Sequence, residues 1–268
     1  MKTVVITGGT RGLGLELAKC FRKNDFNIAV CGTRQENIDK AVGILDGISG
    51  KGKNTGFKCD VSDLSQVEAF ADAAAEQFGN IDIWINNAGV NQPDKYIWEL
   101  EEKEIDFLLN IDIKGTVNGS SAAVRKMIKQ GNGAIYNVEG MGSNDAFQPC
   151  LSMYGTAKRA VTYFTDALAN EIKVKKLPVI ACKLSPGIMI TDFLTSSNGK
   201  TGNQPLSEKH KKVYNILGDK PDVIAEFLTE RILKNTKNGI RINWLTNGKA
   251  AFRFMTAGFN KRDFFSGK

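Results

Sequence analysis

Histidine is almost missing from this chain. His210 is the single example in 268 residues and stands in a lysine-rich stretch, so no metal site is expected. Cysteine is sparse and follows no pairing pattern. Cys20, Cys31, Cys59, Cys150 and Cys182 are odd in number, widely spaced and free of any C-x-x-C pair, which excludes a disulfide framework. Three of them (Cys31, Cys59, Cys182) fall in apolar, strand-like runs, as buried thiols of a reducing cytosol do. No apolar run reaches the length needed to cross a bilayer. The chain enters a strand at once, Lys2-Thr3-Val4-Val5-Ile6, with no signal-peptide pattern ahead of it. A cytoplasmic location is therefore expected. Clustered basic motifs are also missing, which argues against nucleic acid as a partner. The net charge of +7 reads as a solvated lysine-rich surface whose positive field would favour an anionic ligand.

What is present is an ordinary globular composition, 42% apolar, with one repeating rhythm. Short β-branched runs at 4–6, 28–31, 56–59, 81–85, 134–138 and 179–184 read as buried strands, with a last candidate at 240–245. Amphipathic stretches separate them. Leu64, Val67, Ala71, Ala74 and Phe78 share one helical face, as do Ala157, Val161, Phe164, Leu168 and Ile172. Such alternation implies parallel strands joined by right-handed crossovers, with helices on both sheet faces. With no linker or repeat, residues 1–268 are expected to form a single α/β domain, a doubly wound parallel sheet of Rossmann type. Two segments depart from the rhythm. Residues 194–212 are polar and glycine-containing and predict a long mobile loop. The segment 250–268 is aromatic and basic together. Phe252, Phe254, Phe259, Phe264 and Phe265 are too many rings to leave solvated, so the tail from Ala250 to Phe265 is expected to pack across the substrate cleft or a subunit interface.

The chemistry starts directly after the first strand. Thr7-Gly8-Gly9-Thr10-Arg11-Gly12-Leu13-Gly14 opens a helix carrying Leu13, Leu17 and Phe21. Glycines there permit a tight turn and let backbone amides approach a pyrophosphate, whose charge the helix N-terminus favours. Glycines at 8, 12 and 14 after Thr7 resemble the T-G-x-x-x-G-x-G fingerprint of the short-chain dehydrogenase/reductase family. Further motifs follow in the order of that family. Asp60-Val61 resembles its adenine-contacting pair, and Asn86-Asn87-Ala88-Gly89 its N-N-A-G. Tyr154-Gly155-Thr156-Ala157-Lys158 resembles Y-x-x-x-K, and Pro186-Gly187 with Thr191 resembles the P-G-x-x-x-T that brackets the nicotinamide. The resemblance implies a nicotinamide dinucleotide held by Gly8, Thr10, Arg11, Gly12, Leu13, Gly14, Thr33, Arg34, Asp60, Val61, Asn87, Ala88, Gly89, Tyr154, Lys158, Pro186, Gly187 and Thr191. It also implies oligomers paired through helices beginning near Glu101 and Ser152.

At the end of the second strand an NAD enzyme wants an acid for the ribose 2′-OH. This sequence reads Cys31-Gly32-Thr33-Arg34, with no acid until Glu36. Arg34, and Arg11 from the glycine loop, can instead pair with a 2′-phosphate, so NADP(H) is the expected cofactor. Hydride transfer to a carbonyl also needs a proton donor. Tyr154 suits that role. Lys158, one helical turn on, is expected to lower its pKa by favouring the phenolate. Two positions depart from the family. Met141 stands where a serine is usual, leaving Ser143 as the nearby hydroxyl, and Asp112 stands where N-x-x-G would place an asparagine.

Within the family, the strings Trp84–Asn91, Gly140-Met141-Gly142-Ser143, Tyr154–Arg159 and Leu184–Ile188 are similar to segments of the chlorophyll b reductase branch. That resemblance hints at a formylated tetrapyrrole as substrate. The expected function is NADP(H)-dependent reduction of a small-molecule aldehyde or ketone, with Tyr154, Lys158, Ser143 and Asp112 as catalytic candidates. The alternative is a catalytically weakened NADP(H)-binding regulator or scaffold.

Overall fold

Strand β1 (Thr3–Ile6) is buried at every position and runs through the interior of a parallel sheet in the computed structural model, which describes residues 1–191, 208–259 and 262–265. On one side of it lie β2 (Asn27–Gly32) and then β3 (Asn54–Lys58). On the other lie β4 (Ile83–Asn86), β5 (Ala134–Val138), β6 (Ile180–Ser185) and β7 (Arg241–Asn243), giving the order β3-β2-β1-β4-β5-β6-β7. Every pairing is parallel. The chain therefore changes direction of travel between β1 and β4, and a crevice opens where their C-terminal ends part. The doubly wound architecture expected from the sequence is the observed one.

Helices cover both faces. On one, Leu17 and Phe21 of α1 (Gly12–Lys23) pack with the sheet and with Ile224 and Leu228 from the helix Pro221–Lys234. On the other, Val67 and Phe70 of α3 (Leu64–Phe78) meet Trp84, Ala122 and Met127, the last two from α5 (Gly115–Gln130). Between β2 and β3 lies α2 (Gln35–Asp46). Asp63 starts α3 by accepting hydrogen bonds from the Ser65 and Gln66 amides, donors that a helix start otherwise leaves open. Before α5 come α4 (Glu102–Leu109) and a single π-helical turn, Asn110–Lys114. Such widened turns re-aim side chains and are frequent at functional sites.

After β5 comes α6 (Ser152–Val174). Its buried face is broader than the apolar spacing predicts. Thr162, Thr165 and Lys158 are buried with Ala157, Val161 and Ile172, while Phe164 and Leu168 are half-buried. Polar side chains are tolerated there because each finds a partner. The Thr165 hydroxyl donates to the Val161 carbonyl and accepts from the Asn137 amide.

The expected loop at 194–212 is corrected in part. Residues 194–207 lie outside the described residues, whereas 208–212 open the helix α7 (Glu208–Leu217). Its lysine-rich composition suits a helix, and Lys211 pairs with Glu208 across one turn. Helix α8 (Pro221–Lys234) and, after β7, α9 (Asn247–Thr256) complete the described helices. The expected tail thus begins inside α9, and its packing is corrected in part: Phe252, Phe254 and Phe259 stay exposed in the single chain, while Phe264 lines the cleft. Strand ends shift by a few residues. Ile81 lies before β4 because its amide bonds the Gln130 side chain rather than a neighbouring strand, and the last strand is limited to Arg241–Asn243.

Candidate active site

A cleft of about 1360 Å³ opens along the C-terminal ends of the strands. At one end lies the turn between β1 and α1. Gly8 has φ +61°, and a Cβ there would collide with the Ala88 backbone, so the turn requires a residue without a side chain. Asn87 fastens the turn to the end of β4. Its side-chain amide donates to the Thr7 and Gly8 carbonyls (3.1 and 3.0 Å), while the Asn87 and Ala88 amides donate to the Thr7 hydroxyl (3.0 and 3.1 Å). No side chain caps α1, and its first turn carries no acid. Its open N–H groups face the cleft with the positive end of the helix dipole, an arrangement that suits a pyrophosphate.

Beyond this turn the cleft is lined by Thr33, Arg34, Asp60 and Val61. Arg11 and Arg34 are exposed, and neither is held by a carboxylate among the described residues. Two uncommitted guanidiniums in one cleft, Arg11 from the β1–α1 turn and Arg34 from the end of β2, form a place for an anion. Cys31 and Cys59 line the same end.

At the other end the charges are buried and paired. Lys158 and Asp112 form an ion pair of 2.8 Å, with side chains 7% and 0% exposed. The π-turn aims the Asp112 carboxylate, whose second oxygen accepts the Val90 amide at 2.7 Å. The Lys158 ammonium lies 5.5 Å from the centre of the Tyr154 ring. Burial pushes Lys158 down, but the charges of Asp112 and Tyr154 and the hydrogen bond that the ammonium donates to Asp112 outweigh it, so the ammonium is held above the ordinary lysine value. Tyr154 moves opposite to expectation. Burial raises its pKa and Asp112 adds to the rise; Lys158 lowers it, as the motif implies, but does not win. The hydroxyl is held protonated.

A Cβ at Gly140 would overlap the Tyr154 hydroxyl, so glycine alone fits beside the phenol. Ser143 is buried close by, but its hydroxyl accepts the Gly140 amide and donates to the Lys158 carbonyl, both at 3.2 Å. It braces the helix carrying Tyr154, and it is not among the cleft's lining residues. The expected placement of Ser143 at the substrate carbonyl is corrected accordingly. Asp112 stands behind Lys158 rather than in the cleft wall. Pro186 and Gly187 shape the turn, with Gly187 against Leu245, while Met189, Ile190 and Thr191 line the cleft. Gly14 packs on Asn87 and the Gly8 carbonyl. The remaining expected cofactor residues all border the cleft.

A family model described as short chain dehydrogenase matches residues 2–202. The chain belongs to the short chain dehydrogenase family. It is 34% identical over 232 residues to chlorophyll(ide) b reductase NOL of Oryza sativa, covering 85% of this chain and 66% of the relative. It is 28% identical over 280 residues to the probable chlorophyll(ide) b reductase NYC1 of Arabidopsis thaliana, covering 98% of this chain and 54% of the relative. The chain thus spans between about half and two thirds of the length of these relatives. A 3alpha-hydroxysteroid dehydrogenase of Mediterraneibacter gnavus is 33% identical over 195 residues, covering 73% of this chain and 76% of that one. The crystal structure of a Brucella melitensis 3-ketoacyl-(acyl-carrier-protein) reductase complexed with NADH shares the fold. Its TM-score is 0.78 at 22% identity, over 92% of this chain and 98% of that one.

This short chain dehydrogenase also holds buried polar positions around the site that no motif marks. Gln92 is buried, and its side-chain carbonyl accepts the Met153 and Tyr154 amides (2.8 and 3.2 Å), capping the helix that carries the tyrosine. Glu139, at the end of β5, is buried in the cleft wall and paired with Arg241 at 2.8 Å. A glutamine in the loop after Asn-Asn-Ala-Gly was the available signal for the first. The second has no local signal, since Arg241 joins it from β7.

Proposed function

We propose that this oxidoreductase reduces aldehydes or ketones with NADPH. One observation carries the reading: a protonated, buried Tyr154 beside a charged Lys158 stands in the same cleft as the uncommitted Arg11 and Arg34. When bound, the dinucleotide supplies the hydride. Tyr154 gives its hydroxyl proton to the carbonyl oxygen as negative charge develops there, and the Lys158 ammonium stabilises the phenolate left behind. Asp112 holds that ammonium in place and keeps it charged. A donor must begin protonated, so the upward shift of Tyr154 suits reduction. Arg34 and Arg11 would bind the 2′-phosphate of NADPH. With no acid at the end of β2, NADH would lose nothing and gain nothing there.

The test is NADPH consumption across a panel of aldehydes and ketones that includes a formylated tetrapyrrole, the substrate class suggested by the relatives' names. Oxidation of NADPH with any member, and slower use of NADH, is the expected result. A second reading, a weakened NADP(H)-binding regulator or scaffold, draws on the missing serine hydroxyl beside Tyr154. It predicts cofactor binding with no turnover across the panel.

A homo-oligomer belongs to the same proposal. Phe107 on α4 and Tyr163 on α6 are 53% and 77% exposed, on the helices through which family resemblance implies pairing. Light scattering should give at least twice the chain mass of 29.3 kDa. Among the described residues no helix is long and apolar enough to cross a membrane. The relatives named above as chlorophyll(ide) b reductases are called chloroplastic, and free buried thiols suit any reducing compartment, the expected cytoplasm among them.

A further inference from the structure

The cleft has a wall that comes from the far end of the chain. Asp263 and Phe264 line it together with Thr191, Lys220 and Pro221. They are brought there by Arg262, whose guanidinium donates to the Ile216 carbonyl (3.2 Å), the Gly218 carbonyl (2.6 Å) and the Asp219 carboxylate (2.5 Å). The Arg262 guanidinium also lies 5.0 Å from the Phe264 ring centre, and the Phe264 amide donates to the Asn215 side chain at 2.9 Å. Arg262 and Phe264 are therefore tied to the last turn of α7 and the turn that follows it.

Asp219 is the centre of the arrangement. Its carboxylate is buried and also accepts the Trp244 indole and Arg253 guanidinium, each at 2.7 Å. Its backbone pairs with the loop that follows β6. The Asp219 amide donates to the Ile188 carbonyl and its carbonyl accepts the Ile190 amide, both at 3.0 Å. One residue thus joins three things: the 188–190 loop beside the cleft, α9, and the segment 262–265. The cations leave it little freedom. Lys249 sits beside Arg253 and Arg262, and burial, with repulsion from those arginines, pushes its ammonium down to about 8. Without the Asp219 carboxylate these cations would face one another unpaired.

We propose that the segment Arg262–Phe265 is a retaining wall of the dinucleotide cleft, anchored through Asp219, and that it slows release of the bound cofactor. This rests on the cofactor reading above. Arg262 and Asp219 act as positioning residues, while Phe264 supplies the surface facing the ligand. An Arg–carboxylate contact with two further carbonyl bonds is strong enough that its removal should change release about tenfold.

NADPH release from the full-length protein, followed by stopped-flow fluorescence, tests the proposal in wild type, Arg262→Ala and Phe264→Ala. Both variants should release NADPH about tenfold faster, with an unfolding midpoint close to wild type. Limited proteolysis without cofactor provides the second measurement. Arg262→Ala should be cut in the tail faster than wild type, whereas Phe264→Ala should stay protected, since Arg262 still holds it. Wild-type release rates in both variants, with normal NADPH affinity, would overturn the wall and leave the cofactor reading standing. Failure of the wild type to bind NADPH or NADH would overturn both. Equal protection of the Arg262→Ala tail would overturn the anchoring by Asp219.

Discussion

The two ends of the cleft solve opposite electrostatic problems. The end built by the β1–α1 turn offers positive charge that is open, exposed and uncommitted, namely Arg11, Arg34 and the uncapped start of α1. The end around Tyr154 holds its charges buried and paired, Lys158 against Asp112. An exposed guanidinium waits for an anion to arrive and gives up little hydration while waiting. A buried ammonium has no such freedom, because an unpaired charge in a dry site is costly. Binding can be left to surface charge; a proton donor's environment has to be built in advance.

The largest consequence follows at the buried end. Asp112→Leu leaves the Lys158 ammonium buried without its partner and should destabilise the fold by about 3–5 kcal/mol, read from denaturant unfolding. A loss under ~1 kcal/mol, the range of exposed pairs, would show that this end is not charge-paired in the way described. At the open end, Arg34→Ala should weaken NADPH by about 1.5–3 kcal/mol, seen as a KM raised tens-fold while that for NADH hardly moves. An equal effect on both cofactors would remove Arg34 from the 2′-phosphate. Ser143→Ala is expected to cost about 1 kcal/mol of stability with less than tenfold change in kcat, because its hydroxyl bonds backbone only. A much larger fall in kcat would return it to the substrate.

Asp112→Asn should have the smallest effect. The amide oxygen has two lone pairs and can accept from both Val90 and the Lys158 ammonium, so Lys158 keeps a partner that Asp112→Leu removes and the fold should hold. Lys158 has a raised folded pKa, so its contribution is complete below the ordinary lysine value and is lost as pH rises through the folded one. Removing the Asp112 charge lowers that folded value, and the alkaline limb of the activity profile should move to lower pH. An unchanged limb would mean that Asp112 does not set the state of Lys158.

The same contrast separates what the sequence makes legible from what it hides. The turn at Gly8 to Gly14, Asn87 and the Tyr154–Lys158 pair are local patterns, each fixed by a few neighbouring residues, so strand–turn–helix reasoning finds them. The sheet was legible for the same reason, since buried parallel strands are short apolar runs. Asp112 was visible as a substitution, but its aim depends on a π-turn that no spacing announces. Gln92 reaches the Tyr154 helix across 61 residues, and Arg262 reaches Asp219 across 43. Such contacts are products of tertiary packing and have no local period. The direction of the Tyr154 shift was hidden likewise. Lys158 was in view, but the burial that outweighs it belongs to the folded state.

The most direct measurement is hydride transfer by Tyr154→Phe, which removes the proton donor and keeps the ring. On a carbonyl that the wild type reduces, single-turnover oxidation of bound NADPH should slow at least ~100-fold, at NADPH concentrations that saturate the variant. A transfer rate equal to wild type would contradict the account, since the buried, protonated tyrosine would then not be the group that completes the reduction.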